Sequence, residues 1–156
     1  MRQEWKKMNP EEVVKEFFDR WNKYDVDGAV ALLDSEIEAS NPLVLQRTVG
    51  KEGVRKGIEA YNKAFPDLKM AITKIVARDD TVALEEVETA TFKEPLEVAT
   101  LTIPPTNRSY ELRVACFFRV NAEGLIAEMR NYWDTRAFLQ QLGVDLESLS
   151  AFAKSV

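Results

Sequence analysis

The segment Ala64-Phe65-Pro66-Asp67-Leu68 divides the chain into two unlike halves. Before it, apolar residues recur at helical spacing; after it, they alternate as in strands. Proline disfavours helical geometry in the residue before it, so Phe65-Pro66-Asp67 reads as a helix end. Upstream, Lys51 to Ala64 predicts a helix with Val54, Ile58 and Tyr61 on one side. Gly50, Gly53 and Gly57 lie along it in neither a P-loop nor a dinucleotide-binding pattern, so they predict close packing of this helix on a sheet. Asn9-Pro10-Glu11-Glu12 opens an earlier helix, with Asn9 as N-cap and Glu12 placed for a capping box. Its apolar stripe is Val14, Phe17, Phe18 and Trp21. Asp25 and Asp27 mark a turn into a short second helix that faces Ala29, Leu32 and Leu33 inward. Ile37 to Leu45 reads as an extended piece broken at Asn41-Pro42.

Downstream, Leu68 to Arg78 and Thr81 to Phe92 predict one antiparallel hairpin across Asp79-Asp80. Ser109 to Asn121 and Leu125 to Asp134 predict a second across Glu123-Gly124. A loop carrying Pro95, Pro104 and Pro105 separates the two. A short helix, Thr135 to Leu142, closes at Gly143 as C-cap. The stretch Asp145 to Val156 reads as a helical tail. Three helices followed by a four-stranded meander predict one α+β domain over residues 1–156, helices on one face of a curved sheet, with 1–8 and 145–156 as peripheral tails.

Composition narrows the function. The chain has 156 residues, 46% hydrophobic and 30% charged, enough for a core without disulfide or structural metal. A net charge of −5 argues against nucleic acid or an anionic membrane as partner. The single cysteine, Cys116, and the lack of an apolar leader or membrane-length run predict a cytoplasmic protein. No histidine is present, which removes Ser-His-Asp and Cys-His catalysis and makes a zinc site improbable. Acid–base chemistry therefore falls to carboxylates, Tyr, Lys or Cys, with no cofactor and no metal expected.

The order of elements resembles the nuclear transport factor 2-like superfamily, in which a bent sheet wraps helices into a cone-shaped half-barrel around one cavity. Ala64-Phe65-Pro66-Asp67-Leu68 with its hairpin, and Tyr132-Trp133-Asp134-Thr135 running into Leu139-Gln140-Gln141-Leu142-Gly143, resemble the SnoaL-like polyketide cyclases. Pro105-Thr106-Asn107-Arg108-Ser109-Tyr110, with Glu123-Gly124 and Arg130-Asn131-Tyr132-Trp133-Asp134, is similar to the limonene-type epoxide hydrolases. The latter resemblance sets Glu86 where those hydrolases carry an arginine, Glu88 at one aspartate, Asn131 at the other, Ala39 at a tyrosine and Asn41 at an asparagine.

Side chains alternate along a strand, so Glu86 and Glu88 point the same way, ~7 Å apart. The resemblance sends them into the cavity with Val114, Met129, Asn131 and Trp133. Desolvation and mutual repulsion then raise at least one pKa, making a general base or acid. Asn131 and Asn41 are placed to hold a carbonyl or enolate oxygen. Plainer readings stand beside these: an exposed acidic run for Glu85, Glu86 and Glu88; core for Trp133, Met129 and Phe138; a turn cap for Asn41; a helix cap for Asp134; a buried hydrophobe for Cys116.

Glu86, Glu88 and Asn131 are thus the candidate catalytic residues, and Asn41, Val114, Met129, Trp133 and Phe138 the candidate substrate contacts. The favoured function is proton transfer on a small apolar carbonyl compound, as in a polyketide-type cyclase or ketosteroid-type isomerase. A non-catalytic binding module and an altered epoxide hydrolase are the alternatives. On the opposite face Val87, Ala115 and Phe117, rimmed by Arg113, Arg119 and Glu85, predict a homodimer.

Overall fold

The computed structural model describes residues 7–44, 46–98, 101–145 and 147. The first helix, α1 (Pro10–Asn22), begins as its sequence demands. Asn9 Oδ1 accepts from the Glu12 N–H at 2.9 Å while the Asn9 N–H donates to the Glu12 carboxylate at 3.2 Å, a complete capping box. Its buried face is Val13, Val14, Phe17 and Phe18. The short α2 (Val26–Val30) is capped by Asp25, and α3 (Lys51–Ala64) ends where Phe65 breaks away.

The strands are β1 (Leu33–Ser40), β2 (Thr48–Val49), β3 (Lys69–Arg78), β4 (Thr81–Thr91), β5 (Leu96–Val98), β6 (Leu101–Ile103), β7 (Ser109–Val120) and β8 (Ile126–Tyr132). Both expected hairpins form, β3 with β4 and β7 with β8. The meander is only part of a larger sheet, however, ordered β2-β1-β8-β7-β4-β3. Strand β1 starts at Leu33, earlier than the extended piece read from Ile37, because Leu33 pairs in parallel with Ile126 of β8. That partner lies far along the chain, so local pattern does not reveal it. The proline-marked loop holds a further hairpin, β5–β6, whose Leu96 and Ile103 are buried. The result is a mixed α+β fold, with helices on one face of a curved, open and mainly antiparallel sheet.

The decisive segment lies at the centre of the packing. Phe65 is 0% exposed. Its ring meets those of Tyr61, Phe92, Tyr110 and Phe138 at centroid distances of 4.6 to 6.3 Å. A second cluster, Phe17 and Phe18 against Phe118, joins α1 to β7. Helix α4 (Thr135–Leu142) takes its N-cap from Asp134, whose carboxylate accepts from the Ala137 N–H at 2.9 Å. Gly143 closes it at φ 70°, a left-handed C-cap. The expected helical tail from Asp145 lies almost wholly outside the described residues.

Phe65→Ala should cost about 3–5 kcal/mol, because it opens a void among four rings that cannot all collapse inward. Urea unfolding measures this; a loss under 1 kcal/mol would contradict the central placement of Phe65.

Candidate functional site

Strand β4 lies inside the sheet, between β7 and the edge strand β3, and its pleat decides the site. Glu85 is exposed, whereas Glu86 and Glu88 are 3% and 7% exposed. Register locks them inward: Glu86 sits between Ile72 and Val114, and Glu88 between Met70 and Leu112. Both line a cavity of about 150 Å³ held between the sheet, α1 and α3. Phe17, Phe18 and Trp21 of α1 and Val54, Ile58 and Tyr61 of α3 form the helical wall. Among the described residues, no lysine or arginine lines it.

The two carboxyls are differently placed. Glu88 Oε1 accepts from the Tyr61 hydroxyl at 2.5 Å and from the Tyr110 hydroxyl. The two phenol oxygens are themselves 2.8 Å apart. Burial raises the Glu88 pKa and the tyrosine donors oppose that rise. Burial and the neighbouring Glu88 charge hold both tyrosines well above their ordinary pKa, so they stay protonated donors. In either protonation state this oxygen of Glu88 is committed to the tyrosines.

Glu86 has no such support. Its Oε2 is fully buried without a hydrogen-bond partner among the described residues. Burial first, then repulsion by Glu88, pushes its pKa up to about 8. Two more buried polar atoms on the same cavity are also unpartnered there, Asn131 Oδ1 and Trp133 Nε1. Trp21 differs: its indole N–H donates to Asn62 Oδ1 at 2.8 Å. A buried polar atom left without a partner costs ~1–3 kcal/mol, so three on residues that line one cavity mark where a ligand's polar groups fit.

Seven of the eight residues singled out from sequence border this cavity: Glu86, Glu88, Asn131, Asn41, Val114, Met129 and Trp133. Asn41 is also the turn cap of its plainer reading, its Oδ1 accepting from the Leu43 N–H at 2.9 Å. Phe138 does not border the cavity. It packs behind it, edge-on to Tyr110 at 4.9 Å and to Trp133 at 6.4 Å, because α4 turns its apolar face into the aromatic core. Cys116 is buried, and burial beside the carboxyls raises its thiol pKa, leaving it an unreactive hydrophobe. Tyr61 and Tyr110 escaped the sequence reading. Tyr61 looks like one more residue of a helical stripe, and its partner lies 27 residues away. The close-packing expectation holds for Gly53, where a Cβ would stand 2.7 Å from Thr48 Cγ2, and fails for Gly57, where a Cβ would meet nothing within 4 Å.

Residues 14–129 match the family model of the SnoaL-like domain, and the chain belongs to that family. A search of curated proteins finds no match. Among solved structures, the chain is similar to a proposed SnoaL-like polyketide cyclase from Jannaschia sp. CCS1, with 19% identity, a TM-score of 0.76, and coverage of 87% of this chain and 92% of that one. It is similar to IdmH, a proposed polyketide cyclase from Streptomyces antibioticus, with 24% identity, a TM-score of 0.71, and 88% and 100% coverage. AclR, a proposed hydroxylase from Streptomyces galilaeus, gives 25% identity, a TM-score of 0.71, and 86% and 95% coverage. The fold is nuclear transport factor 2-like.

A carboxyl whose pKa is higher folded than unfolded favours the folded state while protonated. That stability is full below the ordinary carboxylate range and is lost as pH rises through about 8. Glu86→Gln should remove the loss, raising Tm at pH 8.5 by about 3 °C or more and flattening its fall between pH 5 and 8.5. Glu88→Gln should lower Tm, since an amide oxygen accepts from the two tyrosine hydroxyls more weakly than a carboxylate does. Scanning calorimetry across pH checks both; identical pH profiles for the native chain and Glu86→Gln would contradict the assignment.

Proposed function

We propose that this SnoaL-like chain is a cofactor-free acid–base enzyme for a small, mostly apolar carbonyl compound, of the polyketide cyclase or ketosteroid isomerase type. The observation that carries the reading is the unpartnered Glu86 carboxyl facing an apolar cavity beside two further unpartnered polar atoms. Ionised Glu86 takes a proton from the carbon next to the carbonyl, and the C–H electron pair moves through that carbon to the oxygen. The resulting enolate oxygen accepts from the Trp133 Nε1–H, while Asn131 Oδ1 accepts from a hydroxyl or other donor group of the substrate. Where a double bond extends the enolate, the Glu86 acid then returns its proton to the far carbon, which is isomerisation. Otherwise the enolate carbon attacks a second carbonyl, whose C=O electron pair moves to its oxygen and takes the Glu86 proton as the ring closes. Tyr61 and Tyr110 keep Glu88 engaged, so Glu86 acts alone.

The amide at Asn131 supports a second reading, a binding module that kept the cavity and gave up catalysis. Epoxide opening by the limonene-type device needs a cation between two acids, and the lining supplies none among the described residues. We also assign the outer sheet face to a second copy of the chain. Phe117 and Tyr132 are 38% and 52% exposed there, ring against ring at 6.1 Å, and Glu85 and Arg113 bring both charges, as a two-fold contact requires. No described helix is long and apolar enough to cross a membrane; with the lone buried Cys116, that supports the cytoplasm as location.

Exchange of ketone α-protons in D₂O, followed by NMR on acetophenone and cyclohexanone, tests the chemistry. Exchange should exceed the buffer rate and climb with pH to a plateau above about 8, where Glu86 is ionised. Glu86→Gln should lose ~100-fold or more. Full exchange by that variant would refute the carboxylate mechanism, and ligand binding without exchange would favour the binding module. Limonene oxide should yield no diol; clear diol formation would reinstate the hydrolase.

Sedimentation at micromolar concentration should show a dimer that Phe117→Glu dissociates. A monomeric native chain would refute the interface.

A further inference from the structure

Glycine inside a helix is unfavourable relative to alanine, yet α3 carries it at positions 53 and 57, one turn apart on one face. Both border the cavity. Gly53 is explained by its approach to Thr48. Gly57 is not: an added Cβ would meet nothing within 4 Å, and the position is exposed. Neither packing nor backbone conformation calls for glycine there. Its absent side chain leaves the helix backbone bare at the open end of the cavity.

Two other observations make that gap part of a ligand site. The same cavity holds Glu86, 3% exposed and aimed inward with Oε2 unpartnered. Its volume, about 150 Å³, is the size that takes one benzene-like ring, so a longer molecule has to project from it. Val54 and Ile58 continue the apolar wall beside the gap.

We infer that Gly57 forms the mouth of the cavity and selects substrates by shape: a compact carbonyl head of about one ring lies at Glu86, and a slender, unbranched apolar extension leaves across the bare α3 backbone. The inference rests on the cavity being the ligand site and goes beyond the proposed chemistry by naming the substrate's form and the residue that reads it. A side chain at 57 would fill the path of the extension before it reached the head.

The probes are acetophenone and 4-butylacetophenone, titrated by calorimetry into the native chain, Gly57→Ala and Gly57→Leu. The native chain should bind the butyl compound at least tenfold more tightly. Gly57→Leu should lower that ratio tenfold or more, and Gly57→Ala should lower it less while raising Tm, since its methyl enters open space. An unchanged ratio in Gly57→Leu, or an equal loss of both ketones, overturns the inference. Proton exchange in the same samples separates this outcome from the proposed chemistry. A Gly57-dependent ratio without exchange upholds the mouth and removes the enzyme reading; exchange with an unchanged ratio does the reverse. No binding of either ketone overturns both.

Discussion

Glu86 and Glu88 occupy alternate positions on one interior strand, and the pleat turns both carboxyls into the same apolar space. Two buried negative charges this close, with no cation among the described lining residues, cannot both be held cheaply. The surrounding structure distributes the cost unequally. Tyr61 from α3 and Tyr110 from β7 both donate to Glu88, whereas Glu86 faces the cavity unaided. One carboxyl is thereby fixed in a hydrogen-bonded cluster. The other keeps a proton near neutral pH and gives it up only slightly above. Distinct environments around paired acids are how one site acquires distinct proton-handling roles.

This division depends on the aromatic core. Phe65 packs at a tilt against Tyr61 and meets Tyr110 edge-on, so the segment that ends α3 also sets the two phenols that reach Glu88. The second aromatic cluster, Phe17, Phe18 and Phe118, draws α1 over the sheet and closes the cavity's other side. Solved structures at 19 to 25% identity share this fold across most of their length. Because the fold is shared while side chains differ, any particular chemistry has to be argued from the residues facing the cavity.

The sequence made much of this legible where the cause is local. The capping box at Asn9 and Glu12, the helix ending before Phe65-Pro66, the two hairpins and Gly143 as a left-handed cap each follow from residues within one turn or one strand. The shared orientation of Glu86 and Glu88 follows from strand alternation alone, though their direction came from family resemblance. What escaped is mostly long-range. The parallel pairing of β1 with β8 and the Tyr61–Glu88–Tyr110 contacts need a partner that no local periodicity names. The β5–β6 hairpin is local, but its three-residue strands are too short to show an alternating pattern between Pro95 and Pro104. Phe138 follows the cavity residue Trp133 closely in sequence, but α4 faces it to Tyr110 instead. Gly57 looked like a packing glycine until the space beside it proved empty.

The central claim is that an unsupported, buried Glu86 carries its proton through neutral pH while sharing its cavity with Glu88. Carbon-13 NMR of the glutamate side-chain carboxyls, titrated from pH 4 to 10 in the native chain and in Glu86→Gln, tests it directly. The account predicts one carboxyl resonance with a midpoint near 8 that vanishes in Glu86→Gln. Titration of Glu86 near 4.5, the ordinary value for a glutamate, would contradict it.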